Sequence, residues 1–270
     1  MTVELVTVET RGHTTWITLN DPDNLNALTP ELIGEVAAAI VQGETDPDIR
    51  VLVLTGSGRA FCAGANLKRV TALLEQGIDA VVGEFLHPLK LLARQLRECP
   101  KPVIAAVNGI CMAGGLETIL CCDLVVAADD AIMGDQHSVY GLLPAIGGAQ
   151  GLNRNVGAMR AKEMLFTGAR FTPHELLAWG LVNKVVPKAE LNCAVQALAD
   201  MLSERSPAGL ARMKQMVNDQ GEMSWDAATR YDLSLVVGHL FGGDADRGLN
   251  AFVEKRAPVF QALNEYRKPQ

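Results

Sequence analysis

In residues 102–117, PVIAAVNGICMAGGLE, an apolar run leads to a Gly-Gly pair and, two residues on, a carboxylate. Residues 102–107 have the make-up of a short buried strand, Asn108-Gly109 that of a turn, and Gly114-Gly115 that of a close backbone approach where a helix opens. The first amides of a helix have no intrahelical partner and carry partial positive charge. Glycine leaves room for a polarised carbonyl oxygen to reach them. Glu117, in the first turn, stands where a carboxylate can give or take a proton beside the same carbonyl. The purely structural alternative is a strand, a turn and an amphipathic helix whose N-terminal Glu suits the helix dipole.

A second stretch, residues 60–67, AFCAGANL, also sets small residues after an apolar run, Val51-Leu-Val-Leu54, and can present a further amide. Together FCAGANL and NGICMAGGLE resemble the crotonase superfamily, the enoyl-CoA hydratases and isomerases, whose members hold a coenzyme A thioester between two backbone amides. The resemblance runs from about Ile17 to the last helix. It implies that the core is α/β, a crotonase-like spiral of β-β-α turns, and that the amides of Ala65 and Gly114 are the paired oxyanion donors. Asn66 stands where members usually carry Asp, which removes a charge near the pantetheine path. Asn24, Leu25 and Ala27 look like the family segment that flanks the adenine and pantetheine, although a plain loop with Asn turns reads equally well. Ala63, Leu67 and Lys68 fall on the same implied coenzyme path. Lys68 and Arg69 also suit a solvated helix face.

Aligning Gly134, Gly141-Leu-Leu-Pro144 and Gly147-Gly148-Ala149-Gln150 with the family pattern puts His137 where hydratases usually carry a second glutamate. An imidazole, with an ordinary pKa of about 6.5, can donate or accept a proton at neutral pH, but it does not reproduce a carboxylate's charge. A lone histidine is commonly structural. The implied place beside a thioester makes this one a catalytic candidate with Glu117, and an acid limb near a histidine-like pKa is then expected in the pH–rate profile. The implied reaction is water addition to an α,β-unsaturated acyl-CoA through an enolate, a lyase activity, with coenzyme A entering as part of the substrate and no permanently bound cofactor. One alternative is isomerisation, or C–C hydrolysis as in the family's β-diketone hydrolases, which carry a His here but also an Asp at the position of Ile146. A non-catalytic acyl-CoA-binding protein is the alternative of another class.

The elements that position these residues begin with residues 3–10 and 13–19, which alternate apolar and polar around Arg11-Gly12 and predict a hairpin. Thr29-Pro30-Glu31-Leu32 opens a helix to about residue 41. Gly56-Ser-Gly58 follows a strand but is no dinucleotide fingerprint, because Phe61 takes the place of the third glycine and no helix opens there. Helical apolar spacing at Leu73, Leu74, Val81, Val82, Phe85, Leu89, Leu92 and Leu96 predicts helix over 71–98, expected to cover the acyl group, with His87 before Pro88 at a surface or loop. Residues 123–128 read as a strand and 180–186 as a helix-to-strand step. Helices fill the rest, the last one over 246–267 after Gly242-Gly243. AFVEKR at 251–256 and Phe260 resemble the family's last helix, which packs at a trimer interface and lends an aromatic and a Lys to a site, so Phe252 and Lys255 join the candidates. Core packing explains both phenylalanines as well. The expected organisation is a spiral core with the acyl-CoA site over 1–195 and a helical oligomerisation region over 196–270, in a homotrimer or hexamer.

The chain has 270 residues and a net charge of −7 without a Lys/Arg block, which argues against nucleic acid or an anionic membrane as partner. No apolar run approaches the ~18 residues of a membrane span, and the N-terminus lacks a basic leader pattern, which predicts a cytoplasmic protein. Its six cysteines lack C-x-x-C pairs, so reduced thiols and no metal site are expected.

Overall fold

The computed structural model describes residues 4–263. Val3 of the expected hairpin and residues 264–267 of the expected last helix lie outside them. In chain order, β1 (Val6–Arg11) and β2 (Thr14–Leu19) precede α1 (Pro30–Thr45). The first β-β-α turn is β3 (Val51–Gly56), β4 (Ala60–Cys62) and α2 (Leu67–Gln76). After α3 (Ile78–Val81) and α4 (His87–Glu98), the next is β5 (Val103–Val107), β6 (Ile110–Met112) and α5 (Gly114–Ile119). β7 (Leu124–Ala128) and β8 (Ile132–Gly134) begin another, which runs on through α6 (Gly148–Val156), α7 (Ala158–Thr167), α8 (Pro173–Trp179) and β9 (Lys184–Val186). Helices α9 (Leu191–Ser203), α10 (Pro207–Asp219), α11 (Trp225–Leu240) and α12 (Asp244–Val253) follow.

The main sheet has the order β1-β2-β3-β5-β7-β9, parallel except for the β1–β2 hairpin, and a smaller parallel sheet has the order β4-β6-β8. Each turn of the spiral thus lays one strand in each sheet. Continuous apolar runs in β3, β5 and β7 follow from burial on both faces. Leu52, Leu54, Val103, Ala105, Val107, Val125 and Ala127 face the larger core, while Val51, Val53, Ile104, Ala106, Val126 and Ala128 pack on the other side with Leu191, Val195 and Ala199 of α9. The division expected at residue 195 therefore falls inside α9, a helix that belongs to the core because it covers a sheet face.

The strands of the small sheet are three residues each, too short to show an alternation in sequence. His87 is at the surface as expected, but helical: a π-helical turn over Val82–Leu86 joins α3 to α4, and the His87 N–H bonds to Val82 O, so that Pro88, which has no N–H to give, sits inside a continuous helical run. Among the described residues the last helix ends at Val253, and 254–263 do not continue it. Lys255 takes φ 55°, a left-handed conformation that stops the helix ahead of Pro258. Among the described residues no helix is long and apolar enough to cross a membrane.

Candidate active site

Ala65 is set by a parallel bridge to Leu28, in which the Leu28 amide donates to Gly64 O at 2.7 Å and the Asn66 amide donates to Leu28 O at 2.9 Å. Both bonds use the residues flanking Ala65. Its own N–H is therefore directed away from the bridge and donates to nothing among the described residues. The second amide lies opposite. Ala113, at φ 48° and ψ −116°, turns the chain sharply from β6 into α5, so that Gly114 enters the helix with its N–H unbonded. A Cβ on Gly114 would lie 3.5 Å from Gly64 Cα, 3.6 Å from Ala65 N and 3.0 Å from Leu28 Cδ1. The two sequence-predicted amides are thus brought side by side, and only glycine fits at 114 without pushing Leu28. At Gly115 a Cβ would come within 2.2 Å of Cys62 O, which is how α5 packs so closely on β4.

One turn into α5, Glu117 is 2% exposed. Its Oε1 accepts from the amides of Ile146 at 2.9 Å and Gly148 at 3.0 Å, at the entry to α6. Its Oε2 lies 3.7 Å from His137 Nε2. That separation is long for a direct hydrogen bond, but one oxygen atom can sit about 2.8 Å from both. The other ring nitrogen, Nδ1, is held at 3.0 and 2.9 Å by the two oxygens of Asp135, which is fully buried, and Asp135 Oδ1 also accepts the His137 amide at 3.0 Å. Burial pushes the Glu117 carboxyl above its ordinary pKa, although the Ile146 amide, the charge of His137 and the Gly148 amide pull it back. Burial lowers the pKa of His137, but the hydrogen bond and charge of Asp135, with the charge of Glu117, outweigh it and leave the imidazole more basic than usual.

Leu25, Ala63, Ala65, Leu67, Ala113 and His137 help line a cavity of about 310 Å³. Leu25 reaches it through a left-handed turn at φ 56°. A larger cavity of about 930 Å³, between α4, α10 and α11, shares no lining residue with it and touches the site only from behind, at Ala145, Ile146 and Gly147. None of the residues 71–98 expected to cover an acyl group lines the smaller cavity; Leu73, Phe85, Leu89, Leu92 and Leu96 are core. Among the described residues no three His, Cys, Asp or Glu side chains are grouped to hold a metal.

Other candidates stand apart. Asn24 is exposed, with its Nδ2 on Asp21 at 2.9 and 3.0 Å. Ala27 is buried and its amide donates to Asn24 O. Lys68 is exposed on α2 outside the cavity. Asn66 caps α2, its side chain accepting from Arg69 N at 3.1 Å, so the helix start by itself accounts for its place. Phe252 and Lys255 are exposed and line neither cavity of their own chain. Asp135 and the Ile146 and Gly148 amides were not foreseen, because nothing in linear spacing pairs residue 117 with a loop about thirty positions later. Asn26 was also missed: fully buried, it donates to Ala60 O at 2.8 Å and Ser57 O at 3.0 Å and ties the 21–28 loop to β4.

The chain matches the enoyl-CoA hydratase/isomerase family model over residues 9–263. A probable enoyl-CoA hydratase of Mycobacterium bovis is 36% identical over 260 residues, covering 96% of this chain and 99% of that protein. The mitochondrial enoyl-CoA hydratase of Pongo abelii is 34% identical over 261 residues, covering 96% and 88%. Among solved structures, an enoyl-CoA hydratase from Polaromonas superposes with a TM-score of 0.91 at 32% identity, over 95% of this chain and 99% of that one. One from Bacillus anthracis gives 0.89 at 31% identity, over 96% and 99%. With two free amides side by side, a buried carboxylate 3.7 Å from a histidine, and likeness in sequence and structure over nearly its whole length, the chain belongs to the enoyl-CoA hydratase/isomerase family.

Proposed function

We propose that this enzyme adds water across the double bond of an α,β-unsaturated acyl-CoA thioester. The observation that carries the reading is that the free Ala65 and Gly114 amides lie side by side and Glu117 Oε2 comes within 3.7 Å of His137 Nε2, with Ala65, Ala113 and His137 on the wall of one small cavity. The two amides would accept the thioester carbonyl oxygen and stabilise it as the enolate forms, each donor contributing about 3 kcal/mol of transition-state stabilisation. Glu117 and His137 would divide the proton transfers, one taking a proton from the attacking water and the other delivering one to the α-carbon. Coenzyme A is carried in by the substrate along the Leu25, Ala63 and Leu67 wall, with no cofactor resident. The working unit is a homotrimer or a pair of trimers in the cytoplasm, in which Phe252 and Lys255 reach a neighbour's site. Mass spectrometry of products from a panel of acyl-CoA thioesters and cyclic β-diketones tests the reading. A gain of one water on an enoyl-CoA supports it; turnover of diketones alone, or none of the panel, overturns it.

The pairing of His137 with a buried carboxylate favours a second reading, C–C hydrolysis, since a histidine at this position with a carboxylate partner also suits attack of water on a diketone. The diketone arm of the same panel decides it.

A further inference from the structure

We infer that Asp135 is a positioning residue that makes Nε2 the titrating nitrogen of His137 and casts this histidine as the proton donor, leaving Glu117 as the base. The inference rests on the hydration reading and adds to it which group gives and which takes the proton. Asp135 is fully buried at the end of β8, and both its oxygens lie within 3.0 Å of His137 Nδ1. A buried carboxylate in that position demands a proton on Nδ1 at all working pH values, because two buried acceptors facing each other would leave both unsatisfied. The same oxygen accepts the His137 backbone amide at 3.0 Å, which fixes the ring's hinge as well as its face. The exchangeable proton is therefore confined to Nε2, 3.7 Å from Glu117 Oε2. Of the other groups near the ring, Tyr140 and Arg170 stand on the cavity wall, and Lys162 and Glu163 of the adjacent α7 are exposed. The two carboxylates are thus the charges at bonding or near-bonding range, and both favour the imidazolium.

The assignment fixes the proton balance. Glu117 takes a proton from water as the oxygen bonds to the β-carbon. The imidazolium gives its Nε2 proton to the α-carbon as the enolate collapses, and proton exchange with solvent resets the pair.

The test is kcat and kcat/KM against pH for the parent and Asp135→Asn, with crotonyl-CoA as substrate and butyryl-CoA affinity measured by calorimetry. The expected result is a kcat loss of about 10²-fold or more and a base limb moved at least about one pH unit lower, with butyryl-CoA affinity unchanged. An unaltered pH profile overturns the inference. Should the variant not fold, nitrogen-15 NMR of the parent's histidines gives the same answer. The neutral form of His137 is expected as the Nδ1–H tautomer, the minority form in free histidine, and an Nε2–H tautomer overturns the inference. If the parent turns over no enoyl-CoA but shows the Nδ1–H tautomer, the hydration reading fails while the positioning by Asp135 stands.

Discussion

Glu117 is anchored in the fold through one carboxylate oxygen. Oε1 is saturated by the Ile146 and Gly148 amides, while Oε2 faces His137. With both pKa values raised, the limbs of the pH profile are assigned differently from the expectation based on a lone histidine. Activity should fall on the acid side as Glu117 takes up a proton, above the ordinary carboxylate range. On the base side it should fall as His137 loses its proton, above its ordinary value. Glu117→Gln and His137→Gln should each cost about 10²–10⁴-fold in kcat with acyl-CoA affinity nearly unchanged, measured by steady-state kinetics and calorimetry. Full activity in both variants would place the chemistry elsewhere. The same burial has a stability consequence. A carboxyl whose folded pKa lies above the unfolded value of 4.5 binds its proton more tightly in the folded state, so stability is lost as pH rises from the unfolded value through the folded one. At pH 7 the ionised Glu117 therefore destabilises the fold, and Glu117→Gln, whose amide oxygen can still accept from both amides, should melt at a higher temperature than the parent. The gap should shrink toward pH 4; a lower melting temperature at pH 7 would contradict this account.

At the scale of elements, the site is held by the ends of helices and strands more than by their middles. α5 delivers the Gly114 amide and Glu117 within its first turn, α6 and the loop before it deliver the Gly148 and Ile146 amides that hold Glu117, and β8 ends one residue before Asp135. α2 starts just after Ala65, so its cap steadies the loop that presents the Ala65 amide. Asn66→Ala should then cost about 1 kcal/mol of stability in urea unfolding, while Asn66→Asp, an equally good cap, should be close to neutral. If Asn66→Ala keeps full stability but weakens acyl-CoA binding, Asn66 is a ligand contact and the capping account is wrong. Phe171 and Trp179, with ring centroids 4.9 Å apart, help secure α8 beside β8 through the Met133–Phe171 bridge. The small sheet is thereby buttressed along β8.

For the whole molecule, the C-terminal helices expose more apolar surface than a lone chain should carry. Trp225 is 82% exposed, Phe241 87% and Phe252 83%, with Leu233, Leu249, Val253 and Val259 also open, and no side chain of α11 is buried. Such a surface calls for a partner, and closed cyclic association of identical chains is the ordinary solution. Light scattering should give the mass of three or six chains of 28.9 kDa. Phe252→Asp should shift the equilibrium toward monomer and lower the activity if its neighbour's site depends on it. A parent that is a stable monomer at micromolar concentration would refute the assembly and leave the role given to Phe252 and Lys255 without a basis.

Much of the α/β core was legible because β3, β5 and β7 are buried on both faces and so read as unbroken apolar runs, while α1 announces itself by Thr29-Pro30-Glu31. The close approach of the Ala65 and Gly114 backbones, and Glu117 in the first turn after them, were legible too, since glycine is demanded wherever backbones nearly touch, as at 114 and 115. Three-residue strands carry no period, so the small sheet and its alignment of β4 with β6 appeared only in the fold. The extent of α12 was also misread, because a single left-handed residue at 255 ends a helix that composition would continue. His137 could be singled out along the chain, yet its chemistry could not. Which nitrogen titrates, and in which direction its pKa moves, depends on a carboxylate two residues before it and another twenty before it meeting across one ring. Chain folding alone brings those charges within 4 Å, where electrostatics in a buried site becomes strong enough to assign roles.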